Sequence, residues 1–257
     1  MITIKSKREL ARMRESGRIT AAVMEAAAKL IRPGITTGEL DRRAGRLIED
    51  RGCVVAFLGY HGYPANICVS VNEEVVHGIG DDRSLKEGDI VSLDIGVKYG
   101  GYYGDMAATF PVGRISPDKE RLIRVTEEAL RAGISRAREG NRLYDISAAI
   151  QDKAESNGYS VVRDFVGHGI GAQLHEDPQI PNFGKAGTGP LLRPGMVLAL
   201  EPMLNMGSFE VEVMPDEWTV VTRDRKPSAH FEHTVAITEN GPEILTQPSR
   251  SAALAYV

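Results

Sequence analysis

Apolar positions recur at helical spacing in two pairs of segments, and at strand spacing between and after them. Ser6-Lys7-Arg8-Glu9 has the form of a capping box and predicts a helix from there to about Ile31, stopped by Pro33-Gly34. Thr36-Thr37-Gly38-Glu39 caps a second helix that ends near Gly52. Strand patterns follow at Val54 to Phe57, Cys68 to Val71 and Asp89 to Val97. Ser116-Pro117, an N-cap followed by proline at the first helical position, opens a helix to Gly140, and a fourth covers about Tyr144 to Asn157. Strands resume at Tyr159 to Val162, Met196 to Leu200, Val211 to Val213, Thr219 to Val221 and Phe231 to Ile237. Each half reads helix, helix, then strands. That order predicts an α+β fold, with helices covering one face of a mainly antiparallel sheet.

The order repeats because the text repeats. Leu85-Lys86-Glu87-Gly88-Asp89-Ile90-Val91-Ser92-Leu93-Asp94 overlays Leu192-Arg193-Pro194-Gly195-Met196-Val197-Leu198-Ala199-Leu200-Glu201. Upstream, the segment opened by Arg32-Pro33-Gly34 and closed by Gly52 matches one opened by Arg138-Glu139-Gly140 and closed by Gly158. Two copies of a long unit predict pseudo-two-fold halves, about residues 6–112 and 116–245, within a single domain spanning 1–257; they do not make a solenoid. Chance similarity between amphipathic helices is a plainer account of the helical matches than of the strand matches. The tail after Leu245 reads as loosely held.

Bulk properties narrow the function. A chain of 257 residues can bury a substantial core. A formal net charge of -4 gives no reason to expect DNA or RNA as the main partner. Cys53 and Cys68 do not form a disulfide framework, which fits a reducing compartment. The start has no apolar signal region, and no apolar run approaches the roughly 20 residues of a membrane span. A cytoplasmic protein without membrane contact is the expectation.

The chemistry lies in carboxylates set inside apolar strands. An ionised carboxylate there is costly unless it is paired or bound to metal. Asp94 and Asp105 flank a probable hairpin, and a two-residue turn at Tyr99-Gly100 would set them directly opposite each other. Two such charges repel, and a divalent ion would remove the conflict. A solvent-facing pair on an edge strand is the plainer alternative. It is weakened by the split between apolar Val91, Leu93, Ile95 and Val97 and small or polar Ser92, Asp94 and Gly96. Glu201 and Glu232 supply the second half, and Pro202 predicts an irregular strand beside Glu201. His168 lies between Gly167 and Gly169, which allow close backbone approach. A lone histidine is more often a packing residue than a ligand; four carboxylates in apolar strands shift that balance. Four carboxylates and an imidazole suit two divalent ions such as Mn, Fe(II), Co or Zn, holding a hydroxide nucleophile between them.

These residues together resemble the type I methionine aminopeptidases, a metal-dependent family with the pita-bread fold. The resemblance runs from about Lys5 to Leu245. It is carried by Tyr60-His61-Gly62-Tyr63-Pro64, Asn72-Glu73-Glu74-Val75-Val76-His77-Gly78, Gly167-His168-Gly169-Ile170-Gly171, His175-Glu176-Asp177-Pro178, Leu200-Glu201-Pro202-Met203 and Phe231-Glu232-His233-Thr234. It implies a curved sheet and the removal of initiator methionine from nascent polypeptides whose second residue is small. Dinuclear-metal hydroxide would attack the first peptide bond. Asp94 would bind one metal, Asp105 and Glu232 would bridge both, and His168 and Glu201 would complete the second. The resemblance makes Glu201 the proton shuttle. It sets His175 at the scissile carbonyl and His77 at the amide nitrogen. It implies a methionine pocket of Phe57, Tyr60, Tyr63, Cys68, Leu174 and Trp218. Many bacterial relatives have cysteine where Phe57 stands and phenylalanine where Leu174 stands, so the bulk is exchanged across that pocket. A monovalent cation near Asn72 and Ser228, a monomeric state and docking near the ribosome exit region are further implications. His61, His230 and His233 receive no catalytic role.

Two other readings compete. An X-Pro-specific peptidase of the same fold usually carries a large preceding domain, and here the first catalytic helix begins near Ser6. A non-catalytic pita-bread binding protein typically loses ligands, and this chain keeps all five. A type II methionine aminopeptidase would need a helical insertion between His168 and Glu232, where the stretch is short.

Overall fold

The computed structural model describes residues 1–247. Four α-helices are found among them, α1 (Lys7–Ala28), α2 (Thr37–Glu49), α3 (Pro117–Arg136) and α4 (Leu143–Glu155). The Ser6 hydroxyl accepts from the Glu9 N–H while the Glu9 carboxylate accepts from the Ser6 N–H, so the first helix starts where its capping text says. Thr36 and Ser116 cap α2 and α3 in the same one-sided way, each accepting from the N–H three residues on. The ends fall a few residues earlier than read, because turns and αL glycines absorb the last residues of each helical pattern.

Every named strand pair is antiparallel. Ile90–Tyr99 carries Tyr102–Pro111 on one edge and both Cys68–Val71 and the short Val54–Val55 on the other. A five-stranded sheet runs Gly241–Ile244, His233–Thr238, Val197–Leu200, Gly167–Gly169, Glu176–Ile180. Helix α1 packs on the Ile90–Tyr99/Tyr102–Pro111 hairpin, and α3 packs on α4. The core between helices and sheets includes Met24, Leu40, Leu93, Ile95, Leu130, Ile150, Leu198 and Leu200, all essentially without solvent contact. Alternation in Ile90–Tyr99 therefore turns Leu93 and Ile95 toward the helices and leaves Ser92, Asp94 and Gly96 for the opposite face.

The repeated text has repeated backbone. Gly88 and Gly195 hold φ 91° and 89°, a region that side chains disfavour. Their N–H groups reach Val112 O and Ile237 O at 3.0 and 2.9 Å. Thr36 bridges Ser84 as Arg142 bridges Leu191.

Four sequence expectations need correction. The hairpin turns at Gly100-Gly101 (φ 57° and 89°), one residue later than expected, because the type I′ geometry needs positive φ at both positions. Asp94 therefore faces Ala107 and Asp105 faces Gly96. The predicted strand over Phe231 to Ile237 is two strands, Ser228–His230 and His233–Thr238, which pair with different sheets and leave Phe231-Glu232 between them. The strand at Val54 ends at Val55, after which the chain turns toward Phe57. Thr246 is buried and accepts from the Thr234 N–H, so the loosely held tail does not begin directly after Leu245; the rest of that expectation, past residue 247, lies outside the described residues.

Candidate active site

The polar face of Ile90–Tyr99 opens onto a cleft lined by Asp94, Asp105, His168, Glu201 and Glu232. Although not directly opposite, Asp94 and Asp105 are diagonal neighbours on one face, within reach of a common ion. Glu201 follows Val197–Leu200, where the ladder is irregular beside Pro202 as expected and resumes at Met203 opposite His230. Glu232 sits at the matching break in the neighbouring strand, its N–H bonded to Ala107 O at 2.8 Å. Across this two-residue interruption the strands keep one register, His233 facing Leu200 and His230 facing Met203, so Glu201 and Glu232 stand opposite each other and share the face that lines the cleft.

His168 depends on its glycines. Gly167 and Gly169 lie so close to the carbonyls of Ala199 and Asp177 that any side chain there would collide with backbone. His168 Nδ1 lies 2.9 Å from Gly169 O, and a carbonyl only accepts, so Nδ1 carries the proton. The Nε2 lone pair then faces Glu201 Oε1, 3.5 Å away. Burial holds this imidazole neutral, its pKa lowered to about 3.

Metal fits this donor set. One oxygen or nitrogen each of Asp105, His168 and Glu232 lie within 4.8 Å of one another. Asp94 Oδ1 and Glu232 Oε1 are buried with no hydrogen-bond partner. Burial, with the neighbouring carboxylates, pushes Asp105, Glu201 and Glu232 well above the usual carboxylate range, and burial raises Asp94 to about 7. Four mutually repelling acids around one imidazole call for divalent cations as their common partner.

The residues of the expected substrate pocket line the same cleft, which offers about 500 Å³ of space partly open to solvent: Phe57, Tyr60, Tyr63, Cys68, Leu174 and Trp218, with His77 and His175. Phe57 lies over Gly96, where a methyl group would strike its ring. Tyr63 stands edge-on to Trp218 at 5.1 Å, its hydroxyl bonded to Gly78 O. Cys68 lies opposite Asp94, and burial pushes its thiol well up. His77 follows Glu74–Val76 with φ 60°, packs edge-on against Phe165, and is kept neutral by burial, its pKa lowered to about 4. His175 Nδ1 lies 2.7 Å from the Tyr60 hydroxyl, and its ring is 4.2 Å from that of His168. Near Asn72 and Ser228, the Ser228 N–H bonds Asn72 O, and the Lys119 ammonium takes Asn72 Oδ1 at 3.0 Å.

Residues 11–239 match the model of metallopeptidase family M24. The chain belongs to this family, among its methionine aminopeptidases. It is 56% identical to methionine aminopeptidase 1 of Bacillus subtilis over 96% of this chain and 100% of that one. The crystal structure of methionine aminopeptidase from Rickettsia prowazekii superposes with a TM-score of 0.95 at 42% identity, covering 96% of this chain and 100% of that one. That from Thermotoga maritima gives 0.94 at 48%, with coverage of 96% and 100%. The pita-bread fold is thereby established.

Two features of this M24 cleft escape the sequence reading. His230, given no role, is buried with its Nε2 unpartnered and 3.9 Å from Glu201 Oε2; its place two residues before Glu232 was the available signal. Lys5 forms a buried ion pair at 2.6 Å with Glu176, which also accepts from the Gln173 N–H and so closes the loop bearing Leu174 and His175. Nothing local to Lys5 announces that partner.

Proposed function

We propose that this chain is a metal-dependent aminopeptidase that removes N-terminal methionine from nascent polypeptides with a small second residue. It acts as one catalytic domain over 1–257, with pseudo-repeat halves near 6–112 and 116–245. Support comes above all from one arrangement: partnerless buried oxygens of Asp94 and Glu232 share a cleft with His168, His77 and His175.

Asp94 would hold one divalent ion, Asp105 and Glu232 would bridge two, and His168 with Glu201 would complete the second. When bound, the ions supply an acidified water as nucleophile and polarise the carbonyl. Glu201 would accept a proton from the nucleophilic water and return it to the leaving amine, its carboxylate lying beside His168 Nε2 in the same cleft. To donate to the developing oxyanion, His175 needs its proton on Nε2, which requires the Tyr60 hydroxyl, 2.7 Å from Nδ1, to be the donor of that bond. Neutral His77 contacts the scissile amide nitrogen. Phe57, Tyr60, Tyr63, Cys68, Leu174 and Trp218 enclose the methionine side chain, whose polarisable sulfur packs well on rings.

Mn, Fe(II), Co and Zn all suit the ligands, and availability selects among them. A monovalent cation near Asn72 and Ser228 accompanies the reading, as do a monomeric state, cytoplasmic location and docking near the ribosome exit region. No helix among the described residues is long and apolar enough to cross a membrane.

The test is release of free methionine from Met-Ala-Ser by metal-stripped protein with each metal restored, beside Met-Lys-Ser, Leu-Ala-Ser and an X-Pro peptide. Metal-dependent cleavage of Met-Ala-Ser alone is expected. Preference for X-Pro would move the chain to the prolidase branch. No cleavage by folded, metal-binding protein would favour a binding role.

A further inference from the structure

The two halves meet between Tyr102–Pro111 and the broken strand Ser228–His230/His233–Thr238, the strands that deliver Asp105 and Glu232. Their seam is not an ordinary ladder. Glu232 N–H to Ala107 O is one backbone bond across it. On either side a threonine hydroxyl replaces the ladder. Thr234 Oγ1 accepts from the Asp105 N–H at 3.0 Å and donates to Asp105 O at 2.8 Å. Thr109 Oγ1 accepts from the His230 N–H and donates to His230 O, both at 2.9 Å. The register is continuous: Asp105 faces Thr234, Ala107 faces Glu232 and Thr109 faces His230.

The arrangement follows the internal two-fold. Val112 and Ile237 are equivalent, since they accept from Gly88 and Gly195, and each threonine lies three residues before its own. Both hydroxyls are buried, and each satisfies both backbone groups of the residue opposite. Thr109 is further fixed by the Ser92 hydroxyl at 2.8 Å, which must donate because the Thr109 proton is already used on His230 O.

We propose that Thr109 and Thr234 are positioning residues of the metal centre. Their hydroxyls clamp the seam and set the relation between Asp105 and Glu232, the two carboxylates shared by both ions. This rests on the two-ion reading above. A side-chain clamp suits the place because the strand is interrupted at Phe231-Glu232, and among the described residues only one backbone bond, Glu232 N–H to Ala107 O, ties that interruption to Tyr102–Pro111.

The test compares Thr234→Val, which keeps shape and removes the hydroxyl, with Thr234→Ser, which restores it. Mn(II) binding is followed by calorimetry and by the spin-coupled signal of a Mn pair in electron paramagnetic resonance. Thr234→Val is expected to bind the first ion within a few-fold of wild type, to bind the second at least tenfold more weakly, and to lose the coupled signal; Thr234→Ser recovers both. Should Thr234→Val fail to fold, Thr109→Val and Thr109→Ser carry the same expectation from the other clamp. Wild-type affinity for both ions and an intact coupled signal in a folded valine variant overturn the clamp alone. A wild-type protein that binds a single ion at saturation overturns the two-ion reading and the clamp with it.

Discussion

The proposed metal-facing and substrate-facing walls of the cleft are built differently. The proposed ligands stand on sheet backbone: Asp94, Asp105 and His168 lie within strands, and Glu201 and Glu232 lie opposite each other in a short interruption of one strand pair. The substrate-facing residues stand mostly on turns and loops. Tyr60 is in a 3₁₀ turn, His77 follows a strand end at positive φ, and Leu174, His175 and Trp218 lie in loops. The ladder holds the ligand backbone, with the threonine clamps at its one seam. Each loop needs its own fastening: Lys5 on Glu176, Tyr60 on His175, the Tyr63 hydroxyl on Gly78, and Asp216 on the N–H groups of Trp218 and Thr219. Repelling charges are thus held where backbone freedom is least, and groups that meet a changing substrate are held where side chains can adjust.

The largest effect that separates the walls is Asp105→Asn. In the proposed centre it removes a carboxylate that both ions would share, so activity is expected to fall to background and Co(II) titration to lose a two-ion stoichiometry. Circular dichroism stays near wild type because the backbone bonds of Asp105 remain. Full activity would remove Asp105 from the centre. On the other wall, His77→Ala is expected to lower kcat by about 10²-fold, the scale for loss of one positioned polar group. Metal content by elemental analysis stays unchanged. Lost metal would join His77 to the metal wall and break the comparison.

A smaller effect concerns stability without metal. Burial raises the folded-state pKa of Asp94 to about 7, above an unfolded value near 4. The folded chain then holds more protons at this site than the unfolded one between these values, so the contribution of Asp94 to stability falls as pH rises from about 4 to about 7. His77, His168, His230 and His233, held neutral by burial, act with the opposite sign below about pH 6.5. Asp105, Glu201 and Glu232 shift in the same direction as Asp94 and add to the fall. Bound cations keep the carboxylates ionised and remove this slope. Thermal melts of stripped and Mn-loaded protein at about pH 6.5 and pH 8, above the range in which the histidines oppose the acids, should diverge with rising pH. A stripped protein more stable at pH 8 than at about pH 6.5 would contradict the buried acid cluster.

The same division explains what was legible. Carboxylates in apolar strands are visible because local pattern and local cost conflict, and that conflict exposed Asp94, Asp105, Glu201 and Glu232 before any fold was known. The histidines carried no such signal. His77, His168 and His175 were selected by resemblance, while His230 went without a role although it lies against Glu201.

By itself the sequence determined the four helices, the caps of three of them, the repeated strand unit, and which acids stand among apolar neighbours. Those rest on short-range causes: periodicity, capping bonds, and the cost of a charge among apolar neighbours. Tertiary structure alone decided the hairpin register, because moving the two-residue turn by one position shifts every facing pair. It also decided the strand break at Glu232, because that segment joins two sheets whose claims on it appear only when both are present. Thr234 on Asp105 and Lys5 on Glu176 came last, since each links residues more than 100 positions apart and no local pattern records such a partner.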